Sequence, residues 1–193
     1  MMSDISANPP PSRGQRDPTA PASTLDGTAF DVLFRSCAGD VHGYLISLLG
    51  DRATAQDVTA LAFERLWRSR SRLDRGRGTP RAWLFAIARN AALDELRRRR
   101  HDGLPLPADG LADPTAHDAL EDVERRATVR DALGTLPLRE RELVLLKFHG
   151  QLSNSELARA LGISESNAGT RLHRALTHLR ENCTQPAIDR EVA

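Results

Sequence analysis

The residues best suited to chemistry lie near the C-terminus, on one face of a predicted helix. Polar side chains recur there at spacings of three, four and seven: Asn167, Thr170, Arg171, Arg174 and His178. At about 100° per residue these positions share one face. Asn, Thr and Arg side chains bind base edges and phosphates of DNA, and a recognition helix reads bases from its N-terminal half. The alternative is an ordinary amphipathic helix with a solvated, charged face.

The residues before this helix predict a helix-turn-helix. Ser153 and Glu156 have the spacing of a capping box at the start of a short helix. Gly162 supplies the left-handed residue that a sharp turn needs, Ile163 is expected between the helices, and Ser164 can cap the second helix. A capped turn of this kind favours DNA binding over a merely solvated face.

Two other basic segments could attract nucleic acid. The helix predicted from Pro80 ends in four consecutive arginines, 97–100, which complement the negative helix end and attract phosphate. The loop before it places Arg75 and Arg77 between glycines, and such a loop can fit around an unpaired base. A solvated run of charge is the alternative for both segments.

The helix predicted over residues 53–70 is apolar around more than half its circumference. Its apolar residues are Val58, Leu61, Ala62, Phe63, Leu66 and Trp67. A three-helix domain can cover only part of that surface, so a partner site beside Asp57 and Glu64 is one interpretation. A fully buried central helix is the other, and periodicity alone leaves both open.

All these segments belong to a chain with helical periodicity and no strand signal. We predict an all-α fold of two small helical domains joined by an extended, proline-containing linker, with the helix-turn-helix in the second domain. The predicted divisions are a disordered tail 1–26, a first domain 27–100, an acidic linker 101–118, a second domain 119–184 and a C-terminal tail 185–193.

Charge and composition limit the classes of function. Residues 27–100 carry 14 arginines and 8 acidic residues, whereas residues 101–127 carry 2 arginines and 7 acidic residues. Two basic modules joined by an acidic segment suggest two nucleic-acid-facing surfaces. The chain has no apolar run or secretory signal, so we expect a cytoplasmic protein without a membrane. Its cysteines, Cys37 and Cys183, have no metal-ligand spacing, and no catalytic pair stands out; we expect no enzyme, metal or cofactor.

Five segments together resemble the extracytoplasmic-function subfamily of sigma-70 transcription factors. Residues 30–34, 57–68 and 83–97 resemble the first conserved domain of that subfamily, and residues 136–142 and 157–176 resemble the second. The resemblance covers about residues 27–182 in the right order and spacing. It implies promoter DNA and core RNA polymerase, through its β′ clamp helices and β flap, as partners, together with an anti-sigma factor.

The resemblance also implies roles for individual residues. Polymerase contacts are implied for Asp57, Leu61, Phe63, Glu64, Leu66 and Trp67. Capture of the −10 non-template strand is implied for Arg75, Arg77, Asn90, Arg97 and Arg98. Contacts to the −35 element are implied for Ser164, Glu165, Ser166, Asn167, Thr170, Arg171 and Arg174.

The chain departs from the subfamily pattern at three places. Ala60 and Leu61 stand where a Gln and an acidic residue are usual, which bears on polymerase affinity. Gly169, in the predicted recognition helix, lowers helix propensity and would permit a close approach of its backbone to DNA. Two rival functions remain at this stage: a helix-turn-helix regulator that acts without polymerase, and a helical adaptor that binds only protein.

Overall fold

The computed structural model describes residues 25–73, 78–103 and 120–184, with side chains from residue 127 onward in the last range. Every α-helix and 3-10 turn in these ranges is helical structure, without a strand, as the all-α prediction requires. The predicted linker, the tip of the loop before the third helix, and most of both predicted tails lie outside the described residues.

The first domain contains three helices, α1 (Gly27–Leu49), α2 (Arg52–Ser69) and α3 (Pro80–His101). Each begins at a side chain that accepts a backbone N–H: Asp26, Asp51 and Thr79. Such caps satisfy N–H groups that have no partner within the helix. Pro80 occupies the first turn of α3, as predicted, because its missing N–H costs nothing there.

The core of the first domain contains large apolar side chains from all three helices. Tyr44, Leu66, Leu84 and Phe85 are fully buried, and Cys37 is buried as predicted. The Tyr44 and Phe85 rings meet edge to face, with their centroids 5.6 Å apart. Burial of several such side chains contributes most of the stability of a domain of this size.

The second domain contains α4 (Leu120–Thr135), α5 (Leu138–Phe148), α6 (Asn154–Leu161) and α7 (Glu165–Thr184). Helix α5 is central, as its nearly continuous apolar sequence predicts, and residues 142–146 are all buried. Phe148 differs from that expectation, because 63% of its surface is exposed where the helix ends. The buried apolar residues of α5–α7 continue into those of α1–α3, so the two domains pack directly against each other.

The boundary of the predicted N-terminal tail needs a correction. Leu25 is buried in the core, with 2% of its surface exposed, and the Asp26 carboxylate caps α1 by accepting the Ala29 N–H at 2.8 Å. These two residues therefore belong to the folded domain, because one supplies apolar area and the other satisfies a helix end. Of the helices in the described ranges, none has the length and apolar character needed to cross a bilayer.

Candidate polymerase and DNA interfaces

The helix-turn-helix forms as the capping pattern predicts. The Ser153 hydroxyl accepts the Glu156 N–H, and the Glu156 carboxylate accepts the Ser153 N–H at 2.9 Å. Gly162 ends α6 with φ 67° and ψ 35°, the left-handed conformation that glycine adopts without steric cost. The Ser164 hydroxyl accepts the Asn167 N–H at 3.2 Å, which caps α7.

Helix α7 buries one face and exposes the predicted DNA-binding face. Ala168, Leu172 and Ala175 are buried against the rest of the domain. Asn167 is half-buried, and the other predicted −35 residues are exposed: Ser164, Glu165, Ser166, Thr170, Arg171 and Arg174. Thr170 donates its hydroxyl to the Ser166 carbonyl, so part of its hydrogen-bonding capacity is used within the helix. A face of this composition suits phosphate and base contacts in a major groove.

Sequence reasoning missed a third arginine beside this face. Arg139, near the start of α5, lines a cavity of about 310 Å³ together with Arg171 and Arg174. The three side chains come from two helices that lie far apart in sequence, so no local spacing pattern could reveal their proximity. Their combined positive charge strengthens attraction to a DNA backbone at this surface.

Gly169 faces the first helix of the motif. It precedes Arg171 by two residues, or about 200° around the helix, so the two lie on nearly opposite sides. A methyl group at Gly169 would meet the Asn154 Nδ2 at 3.6 Å, an ordinary contact. The structure therefore gives no support to a close approach of this backbone to DNA at the Arg171 face.

We expect Gly169→Ala to raise the free energy of unfolding by about 1 kcal/mol, because alanine favours the helix and meets no obstacle. Gly162→Ala provides the contrast: space around Gly162 is open, but its φ of 67° strains any side chain, so we expect a loss of about 1 kcal/mol. Urea denaturation of both variants measures the two changes. Destabilisation by Gly169→Ala would contradict the described packing of α7.

Helix α2 settles the choice between a buried helix and a partner surface in favour of a helix with two different faces. Ala55, Val58, Ala62, Phe63 and Leu66 are buried in the domain core. Phe63 and Leu66, both predicted to touch polymerase, are therefore core-packing residues that a partner cannot reach in this conformation. The remaining predicted contacts lie on the opposite face, with Asp57, Glu64 and Trp67 exposed and Leu61 half-buried.

Trp67 is held in a fixed position on that face. Its ring meets the Phe30 ring edge to face at 4.9 Å, and the Arg70 guanidinium lies 3.9 Å from its ring centroid. The Arg68 guanidinium pairs with the Glu64 carboxylate at 2.8 Å, and both side chains are exposed. A partly exposed, immobilised tryptophan beside charged groups has the composition of an interface anchor.

The arginines at the end of α3 have unequal surroundings. Arg97 and Arg98 are exposed and pair with Asp94 and Glu95 within the helix, at 2.9 and 2.7 Å. Arg99 instead turns inward, with 13% of its side chain exposed, and pairs with the Asp51 carboxylate at 2.9 Å. Hence only part of the arginine run faces solvent, since Arg99 ties the end of α3 to the start of α2.

Hydrogen bonding lowers the pKa of both carboxylates that hold this corner. The Thr54 hydroxyl, followed by the Arg99 guanidinium, holds the pKa of Asp51 below its ordinary value. Arg98 is the main cause of the lowered pKa of Glu95. Both carboxylates therefore remain charged near neutral pH and keep the helix ends joined.

Asn90 is exposed on α3, where a strand of DNA could reach it. Its side-chain oxygen accepts a hydrogen bond from Arg89 at 3.3 Å. Arg75 and Arg77, the other predicted −10 residues, lie outside the described residues. The structure thus brings Asn90, Arg97 and Arg98 onto one helix without testing the loop.

Comparisons with known proteins agree with this architecture. A family model described as Sigma-70 region 2 matches residues 33–101, and one described as Sigma-70, region 4 matches residues 126–179. RNA polymerase sigma factor CarQ of Myxococcus xanthus is 36% identical over 155 residues, which cover 79% of this chain and 88% of CarQ. ECF RNA polymerase sigma factor SigL of Mycobacterium tuberculosis is 28% identical over 171 residues, covering 88% of this chain and 97% of SigL.

Two solved structures have a similar fold. The sigma factor RpoE in complex with the anti-sigma factor NepR from Bartonella quintana gives a TM-score of 0.67 at 23% identity, covering 79% of this chain and 95% of that one. CnrH in complex with the cytosolic domain of CnrY gives 0.59 at 24% identity, covering 81% and 88%. With both family models, relatives along most of the chain and an exposed recognition helix behind a capped turn, the chain belongs to the extracytoplasmic-function subfamily of sigma-70 RNA polymerase sigma factors.

Proposed function

We propose that this sigma factor divides its work among three surfaces. The exposed face of α2 binds the β′ clamp helices of core polymerase, α3 with the preceding loop holds the −10 non-template strand, and α7 enters the major groove at the −35 element. The observation that carries the proposal is the separation of these surfaces. Arg171 and Arg174 are exposed on one domain, while Glu64, Trp67 and Asn90 are exposed on two helices of the other.

DNA opening follows from binding energy and needs no catalytic group. An unstacked base costs a few kcal/mol, and contacts to that base and to the flanking phosphates offset the cost. Asn90 offers an amide to a base edge, and Arg97 and Arg98 offer charge to the backbone. The upstream contact by α7 keeps the DNA in register while the strands separate.

The acidic segment and further partners complete the proposal. Residues 101–127 carry a net negative charge, so this segment would thread the positively charged nucleic-acid path of polymerase. The second domain would contact the β flap. We place the protein in the cytoplasm with polymerase, and an anti-sigma factor is a further proposed partner because the similar RpoE structure contains one.

Run-off transcription with core polymerase and a library of genomic promoters tests the proposed function. Addition of this chain should produce defined transcripts that core polymerase alone does not make. Absence of any chain-dependent transcript would overturn the proposal. Gel-shift of the chain alone addresses the rival regulator function, since tight, specific binding without polymerase would favour that class.

A further inference from the structure

The two domains meet at an interface separate from the surfaces proposed for polymerase and the −35 element. We define this interdomain interface by three contacts: Arg89 with Glu142, Arg81 with the end of α5, and Thr79 with Glu156. The first member of each pair lies on the first domain, and the second lies on the second. Apolar side chains of both domains pack between these contacts in one cluster.

Glu142 is the most informative residue of the interdomain interface. It is a carboxylate on the central helix α5, only 4% exposed, and two nitrogens of the Arg89 guanidinium donate to its two oxygens. Among the described residues, Arg89 on the other domain supplies all of its hydrogen bonds. A buried ion pair gains little net stability, but it penalises any arrangement that leaves one charge unpaired, so it fixes how the domains fit together.

Arg81 connects the first turn of α3 to the C-terminal end of α5. Its guanidinium donates to the His149 and Gly150 carbonyls at 2.6 and 2.7 Å and to the Asp40 carboxylate at 2.6 Å. Carbonyls at a helix C-terminus lack helical partners and carry the negative end of the helix dipole, so a cation from the other domain satisfies both. Burial lowers the pKa of the neighbouring His149, so its ring stays neutral against α1.

The third contact covers the loop end of α3. The Thr79 hydroxyl donates to the Glu156 carboxylate at 2.6 Å. Partial burial raises the pKa of Glu156, but hydrogen bonds from Thr79 and Ser153 outweigh it and hold that pKa below its ordinary value. A cavity of about 390 Å³ separates Leu73, Thr79 and Trp83 from Arg159 and Ala160, so α6 lies across the region proposed to receive the −10 strand.

One group disfavours permanent closure. The Tyr44 hydroxyl is buried without a hydrogen-bond partner, and burial together with the negative charge of Glu142 raises its pKa. An unsatisfied hydroxyl costs about 1–3 kcal/mol that water would relieve. The interdomain interface thus combines specific contacts with a built-in cost, which suits a contact that opens.

From these contacts we infer that the free sigma factor holds itself closed, with the second domain seated on the first so that α6 covers the −10-reading region until polymerase separates them. This inference rests on the proposed role of α3 and its loop. Closure leaves Glu64 and Arg68 exposed on α2, and Arg171 and Arg174 exposed on α7. Polymerase can therefore dock first, and −10 reading follows opening. The 16 residues from 104 to 119 can span roughly 55 Å when extended, which permits the separation.

Gly43 on α1 provides a selective test of closure. A methyl group at Gly43 would come within 3.1 and 3.3 Å of the His149 ring on the other domain, whereas one at Gly39, on the same helix, would meet nothing within 4 Å. We expect Gly43→Leu to open the full-length chain and Gly39→Leu to leave it closed. Small-angle scattering should show a radius of gyration larger by about 3 Å in Gly43→Leu, and amide exchange should accelerate at residues 78–86 and 154–161.

A charge exchange provides a second test that does not depend on tolerance at Gly43. Glu142→Arg places two cations together and Arg89→Glu places two carboxylates together, so each single variant should expand the chain. The double variant restores an opposite-charge pair and should recover compactness and slow exchange. Failure of the double variant to recover, with both singles folded by circular dichroism, would overturn the inference.

Wild-type chain as expanded as Gly43→Leu, with equally fast exchange, would also overturn it. These measurements use no polymerase and no promoter. Loss of run-off activity with a compact wild-type chain would therefore refute the proposed function while the closed state stands. An expanded wild-type chain that supports run-off would refute closure alone.

Discussion

Arg171→Ala combined with Arg174→Ala is expected to abolish promoter-specific transcription while core polymerase binding stays intact. Both side chains are exposed on α7, and both lie on the domain opposite to the α2 surface. A good base contact by arginine contributes about 1–3 kcal/mol of discrimination, so loss of two lowers promoter occupancy by about 30-fold to 10⁴-fold. Run-off transcription measures the loss, and co-elution with core polymerase measures retained binding.

Arg180→Ala serves as the matched control for that double variant. Arg180 is also exposed on α7 but lies near its C-terminal end, beyond the half of a recognition helix that reads bases. We expect it to retain promoter-specific transcription, with at most a modest increase in salt sensitivity. A double variant that lost polymerase binding would contradict the assignment of α7 to DNA. Full activity of the double variant would instead favour a protein-only adaptor.

Local sequence patterns predicted most of the fold. The capping box at Ser153 and Glu156, the left-handed Gly162 and the Thr79–Pro80 start of α3 all form as predicted, because each depends on residues only a few positions apart. The central position of α5 followed from its apolar sequence, although Phe148 at its end is exposed.

Contacts between distant segments were beyond the same reasoning. Glu142 reads as an ordinary surface acid at the start of an apolar helix, and only the fold shows that it is buried against Arg89, 53 residues away. Arg99 looks like its neighbours in the arginine run, yet it turns inward to Asp51. Periodicity on α2 counted apolar positions without showing which of them face the core, so Phe63 and Leu66 were assigned to a partner that cannot reach them.

Trp67→Glu is expected to weaken assembly of the holoenzyme by about 30-fold or more. Trp67 is 37% exposed and is held between the Phe30 ring and the Arg70 guanidinium, so its exposed surface is already ordered before a partner arrives. Removal of such an anchor typically costs 2 kcal/mol or more, and a carboxylate in its place adds a desolvation cost. Titration of labelled core polymerase with the variant measures the affinity.

Two further variants separate loss of docking from loss of folding. Glu64→Arg changes the charge of the same face and breaks only an exposed pair with Arg68, which contributes little to stability, so this variant should fold yet bind polymerase weakly. Val32→Glu places a carboxylate at an equally prominent apolar residue of α1, 63% exposed, and should bind as wild type does. If Trp67→Glu and Glu64→Arg both keep native circular dichroism and wild-type affinity, the α2 face is not the docking surface. Equal weakening by Val32→Glu would point to a general effect of added charge, because only contact through α2 predicts a difference between the two helices.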